Sequence, residues 1–103
     1  MRKPHRQLFQ MVATKDLVGV KGLLGQGLTP NIIAGQAKIT PLMVAVRNND
    51  VAMIKLPLEN GAAVETANDY LGRDAYDYAE KYNSTAALMV LLSHKEDVAN
   101  AIQ

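Results

Sequence analysis

The chain has 103 residues, with eleven Lys or Arg against ten Asp or Glu and a formal charge of +1. That length fits one domain, and so even a balance creates no field to attract nucleic acid or a membrane surface. Half of the residues are hydrophobic, with one Phe, no Trp and no Cys, which suits small-residue helix packing and excludes disulfides, zinc fingers and thiol catalysis.

In chain order, the start Met1 to Arg6 ("MRKPHR") is basic enough for the n-region of a signal peptide. Lys15 and Asp16 interrupt the apolar run behind it, and no A-x-A-like cleavage site follows. No window reaches 18 uninterrupted apolar residues, so no membrane span is expected. The expectation is a soluble, cytoplasmic protein.

Asp16 stands at the start of the first unit's second helix, and Gly19 and Gly22 inside that helix should each cost roughly 0.5–1 kcal/mol relative to alanine. Thr40-Pro41 is an N-cap followed by proline at the first helical position, where its missing N–H costs nothing. Leu42, Ala45 and Val46 then give one apolar face, and Asn48-Asn49 breaks that helix. Asp50 caps the next, which carries Val51, Ile54 and Leu58 inward and ends at Gly61 in the left-handed C′ position. Pro57 falls about two turns into this helix, where it removes the bond to the Met53 carbonyl. Packing between two other units is expected to carry the helix through it.

The last unit repeats the plan, with Asp74 as cap, Tyr76 and Ala79 inward, and Ser84 capping the second helix. Ser93-His94-Lys95-Glu96 fits a capping box, followed by Val98, Ala101 and Ile102 on one face. The expectation is a short third helix laid across the end of the stack, with a detachable partner-binding helix as the alternative.

The units are copies. Displacing Asp16–Gly27 by 34 residues sets Asp16 on Asp50, Val20 on Ile54, Lys21 on Lys55, Leu24 on Leu58 and Gly27 on Gly61. Another 34 brings Ser84, Leu88 and Leu92 into the Asp50, Ile54 and Leu58 columns, with Met11, Ala45 and Ala79 also in register. A period in this range means stacked repeats, here of about residues 4–33, 34–67 and 68–103.

Thr40-Pro41-Leu42-Met43-Val44-Ala45 resembles the ankyrin motif T-P-L-H-x-A, with methionine in the histidine place. Asn60-Gly61-Ala62-Ala63-Val64 is similar to the family's turn after the second helix. Gly72-Arg73-Asp74-Ala75-Tyr76-Asp77-Tyr78-Ala79-Glu80 is similar to a closing repeat, and Gly27-Leu28-Thr29-Pro30-Asn31 to the end of an opening one. The first copy lacks the motif, the third reads Asp-Ala-Tyr-Asp, and the period is roughly one residue longer than the usual ~33. The resemblance, over about residues 7 to 92, implies an all-α ankyrin-repeat helix-turn-helix solenoid with hairpin-like connecting loops.

No catalytic constellation is found. His5 and His94 lie far apart without further ligands at metal spacing. Asp74, Asp77 and Glu80 read as a helix cap, first-turn dipole pairing and a solvated face. Gly19-Val20-Lys21-Gly22 lacks the strands and basic surface of a nucleic-acid-binding loop, and Gly22 to Gly27 lacks the G-K-[ST] of a phosphate loop. Asn83-Ser84-Thr85 reads as helix-cap chemistry rather than a glycosylation site. Neither cofactor, metal, nucleic acid nor membrane is expected as a partner.

The resemblance implies instead a concave, protein-binding face made by the loop tips and first helices. Carried over, that face contains Gln36, Ile39, Arg47 and Asn48 of the second unit and Asp69, Tyr70, Leu71, Arg73, Lys81 and Tyr82 of the third. Tyr and Arg dominate many interfaces, and Tyr70-Leu71 is an apolar pair on a wet loop; folding back on the neighbouring loop is the alternative. The expected function is non-catalytic binding of a protein partner, with a dedicated inhibitor or immunity-type protein as the other reading.

Overall fold

The computed structural model describes residues 2–101. It contains α1 (Lys3–Ala13), α2 (Leu17–Gly25), α3 (Pro41–Arg47), α4 (Val51–Glu59), α5 (Ala75–Lys81) and α6 (Thr85–Ala101). Among the described residues there is no strand, only an isolated antiparallel bridge between Ala34 and Ile39. The helices form three antiparallel pairs: α1, α3 and α5 pack as one row and α2, α4 and α6 as the other. The all-helical solenoid is therefore present.

Local chemistry starts each helix. The Thr40 hydroxyl accepts from the Met43 amide at 3.2 Å, and the Thr40 amide points back at the Met43 sulfur at 3.4 Å. Asp16 accepts from the Gly19 amide at 2.9 Å and Asp50 from the Met53 amide at 3.4 Å. Asp74 and Asp77 cap reciprocally, each carboxylate accepting from the other's backbone at 3.0 Å, a capping box with aspartate in both places. The tight turns between paired helices use left-handed residues at one register position: Lys15 (φ 64), Asn49 (φ 53) and Asn83 (φ 52).

The core runs the length of the stack through Leu8, Val12, Val20, Leu42, Val46, Met53, Ile54, Ala79, Ala87 and Leu91, each at most 2% exposed. Pro57 lies inside α4 and is buried with it. The expectation that packing carries this helix through its proline is met, since α4 continues two residues beyond. Its last carbonyls are then used by the turn: Pro57 accepts from the Asn60 and Ala62 amides at 3.0 Å each.

Loops tie neighbouring repeats together. Asn31 donates from its side chain to the Gly61 carbonyl at 3.1 Å and accepts from the Ala63 amide at 2.7 Å. Thirty-four residues on, Glu65 and Lys95 meet at 2.9 Å, so an amide bracket and an ion pair occupy equivalent junctions.

Three sequence expectations need correction. Ser93 does not start a new helix, because α6 runs unbroken from Thr85 to Ala101. A capping box needs a non-helical residue ahead of it, and Val90-Leu91-Leu92 contains no breaker; extending a helix is easier than nucleating another. Val98 is half exposed rather than folded over the end, and Ile102 lies outside the described residues. Leu92, placed inward by register, is 50% exposed because no fourth pair covers it. Ser84 does not cap α6, since its buried hydroxyl has no hydrogen-bond partner.

Candidate functional site

The loop before α5 is built around one buried carboxylate. Asp69 is 5% exposed and accepts four hydrogen bonds: from the Leu71 and Arg73 amides and Arg73 Nε at 2.9 Å each, and from the Tyr78 hydroxyl at 2.7 Å. Burial alone would push this carboxyl up; the bonds from Tyr78, Arg73 and Leu71 outweigh it and hold the group well below the usual carboxylate range. Burial, then the bond to Asp69, pushes the Tyr78 hydroxyl up to about 12. The loop is thus wound about a charge that stays ionised, and Gly72 (φ 77) supplies the left-handed residue the turn requires.

On that frame sit Tyr70 and Leu71, 62% and 58% exposed. The Tyr70 amide donates to the Ala37 carbonyl at 3.0 Å, which joins this tip to the preceding one. The backbones of the two loops therefore meet while both side chains stay in solvent, so the folded-back alternative is not the arrangement found. In the preceding tip Lys38 takes the left-handed place (φ 56) that Gly72 holds in the next.

From the tip an aromatic and cationic row runs along α5. The Arg73 guanidinium lies 5.4 Å from the Tyr78 ring centre, Tyr78 lies 6.0 Å from Tyr82, and Lys81 Nζ lies 5.4 Å from the Tyr82 ring. The spacings suit cation–π and tilted ring contacts. One register earlier, Arg47 and Asn48 stand exposed at the end of α3, with the same backbone positions as Lys81 and Tyr82.

Of the ten residues named from sequence, Tyr70, Leu71, Arg73, Lys81 and Tyr82 are brought together on or beside this row. Gln36, Arg47 and Asn48 are exposed on the neighbouring unit, and Ile39 is half buried against the core. Asp69 is the correction: it is sealed beneath the tip and shapes the loop, so it cannot touch a partner. Tyr78, which links Arg73 to Tyr82, was missed because register makes it a buried inner-helix position like Val44. Lys38 was missed too, although its place two residues before a helix cap matches that of Gly72 and could have revealed it.

Among the described residues no helix is long and apolar enough to cross a membrane. No curated protein matches the sequence. The crystal structure of the human ASB11 ankyrin repeat domain is similar, with a TM-score of 0.74 and 30% identity over 84% of this chain and 38% of that one. This chain thus spans well under half of that domain. Ankyrin repeats in general are non-catalytic modules for protein–protein interaction. An ankyrin-repeat profile in three copies matches residues 8–101, and together with the stacked helix pairs this shows that the chain belongs to the ankyrin-repeat family.

Proposed function

We propose that the chain binds a partner protein through the second and third loop tips and the adjoining ends of α3 and α5, with no chemistry of its own. The observation that carries this reading is the pair Tyr70 and Leu71, two large apolar side chains held in solvent on a loop braced by the Asp69 carboxylate. A preformed tip loses little freedom on binding, which is how rigid aromatic anchors gain affinity. Arg73, Lys81 and Tyr82 extend the contact surface from the tip, and Gln36, Arg47 and Asn48 continue it on the second unit.

The test is capture of a partner by the intact chain, followed by affinity measurements on variants. Tyr70→Ala and Leu71→Ala should each weaken binding by more than about 1 kcal/mol and leave the melting midpoint unchanged. Loss of the partner's own activity in the complex would make the chain an inhibitor; retained activity would make it an adaptor. Wild-type affinity in both variants would place the face elsewhere.

A further inference from the structure

We propose that the partner meets the loop-tip face with an acidic segment that ends in apolar side chains. Its carboxylates lie over the second unit and its apolar end over the third. The inference rests on the loop-tip reading above and adds the chemistry of what is bound. Charge is segregated along the chain: residues 1–49 hold seven Lys or Arg and one Asp, residues 50–103 four and nine. On the face itself the segregation is complete. Its tips and helix ends carry Lys38 and Arg47 in the second unit and Arg73 and Lys81 in the third, with no exposed carboxylate among the described residues. The face runs along the side of the stack, so a further repeat at either end would leave it open.

The carboxylates all have other places. Asp16, Asp50 and Asp74 cap helices, Asp77 closes the box with Asp74, and Asp69 is sealed under the tip. Glu65 pairs with Lys95, and Glu59, Glu96 and Asp97 belong to the other row of helices. Glu80 stands in the column of buried Val46, so it points along the stack. Within the face the two units differ. Arg73 is already bonded to Asp69, and Lys81 lies over the Tyr82 ring. Lys38 and Arg47 are exposed and enter no ion pair among the described residues. Lys38 also holds a left-handed backbone (φ 56) where the next copy has Gly72, a conformation that disfavours any side chain. Strain retained by a cation at an exposed tip points to binding there.

The third unit supplies the opposite chemistry, with Tyr70 and Leu71 in solvent and Tyr82 41% exposed. The 3.0 Å bond from the Tyr70 amide to the Ala37 carbonyl holds the two tips side by side, so one ligand spans both. Packed helices lie about 8–10 Å apart, and an extended chain advances about 3.3 Å per residue. A segment crossing from one unit to the next therefore sets its acidic and apolar side chains about three residues apart. A nucleic acid fits less well. It carries charge at every step, while this face has free cations on one unit only. Beyond them Asp77 and Glu80 stand exposed on the third unit and would repel it.

The experiment titrates the ¹⁵N-labelled protein with a short synthetic peptide, glutamates in its first half and Leu-Phe-Leu in its second. Amide shifts should saturate and cluster on Lys38, Arg47, Tyr70 and Leu71. A spin label on the glutamate end should broaden Lys38 and Arg47 first. Arg47→Glu should weaken binding about fivefold or more, since an exposed pair is lost and a repulsion gained. Lys38→Gly, which suits the left-handed backbone, should weaken it about twofold to threefold, and ~0.5 M salt should erase both effects. A peptide with lysine for glutamate should not saturate. If both cation variants bind as the parent does while Tyr70→Ala weakens binding, the proposal is overturned: the face stands and its partner is not acidic. Shifts that avoid the two tips would overturn the face itself, and this proposal with it. Saturation by the lysine peptide, tighter binding of oligothymidylate than of the glutamate peptide, or no saturable shift up to about 1 mM would each overturn it as well.

Discussion

Asn49 Oδ1 accepts a hydrogen bond from the Ala87 amide at 2.9 Å, across 38 residues and one repeat boundary. The side-chain cap of α6 thus comes from the turn of the preceding repeat, while the hydroxyl of Ser84, in the ordinary cap position, makes no hydrogen bond. The consequence is measurable. Asn49→Gly keeps the left-handed turn but removes the cap, and should destabilise by about 1 kcal/mol. Ser84→Ala should be neutral or slightly stabilising, since it removes a buried hydroxyl with no partner. Chemical denaturation of the two variants decides it; the reverse order would restore Ser84 as the cap.

Asp69 makes the third loop sensitive to acid. Its folded pKa lies below the unfolded value of about 3.9. The sign follows: its contribution is complete well above that value and is lost as pH falls below about 4 toward the folded pKa. Asp69→Asn should cost about 3 kcal/mol at neutral pH, at the low end for a buried charge pair because Arg73 stays partly solvated. The gap in midpoint between parent and variant should then narrow steadily from pH 5 to about pH 2. A gap independent of pH would mean that shape rather than charge organises the loop.

The two glycines inside α2 should behave oppositely. A Cβ on Gly22 meets nothing within 4 Å, so Gly22→Ala should stabilise by roughly 0.5–1 kcal/mol. A Cβ on Gly19 would come within 2.5 Å of the Asp16 carboxylate and 2.8 Å of the Met11 sulfur. Gly19→Ala must therefore displace the cap and should destabilise by about 1 kcal/mol. Thermal melts of both variants, read as a pair, test this assignment. Equal effects would refute it.

The fold was legible because the 34-residue register repeats caps, apolar columns and left-handed turns together, so each local signal agrees with the global one. Asp16, Asp50, Thr40 and Asp74 were each found by type and place. What escaped were relationships between repeats. Nothing local to Ser84 says that Asn49 has already satisfied its helix, and nothing local to Asp69 says that Tyr78 and Arg73 will enclose it. The Ser93 capping box failed for the opposite reason: its residues are right, but the helix ahead of it gives no cause to stop. For the candidate site, exposure of Tyr70 and Leu71 followed from their loop, whereas burial of Asp69 depended on partners up to nine residues away.

Pro57 offers the last test. It is buried inside α4, at the column held by Leu91 in the third unit and Leu23 in the first. Lacking an N–H, it leaves the Met53 carbonyl without its helical donor. Replacement by alanine restores that donor and the helical preference, worth about 3 kcal/mol in an open helix. Against this stand about 0.4–1 kcal/mol of entropy returned to the unfolded chain and about 1.6 kcal/mol for two buried methylenes. Pro57→Ala should therefore gain about 0.5–1 kcal/mol, which raises the midpoint of a domain this size by roughly 2–8 °C. Pro57→Leu fits the sister columns but adds volume where the side chain is already enclosed, and overpacking of about 1–3 kcal/mol should cancel most of its gain. The order alanine above leucine, with leucine near the parent, is the expected result by calorimetry. Leucine well above alanine would show space beside Pro57 that the packing does not suggest. A loss in both would mean that proline's fixed φ sets the path of the chain into Asn60-Gly61 and is needed there.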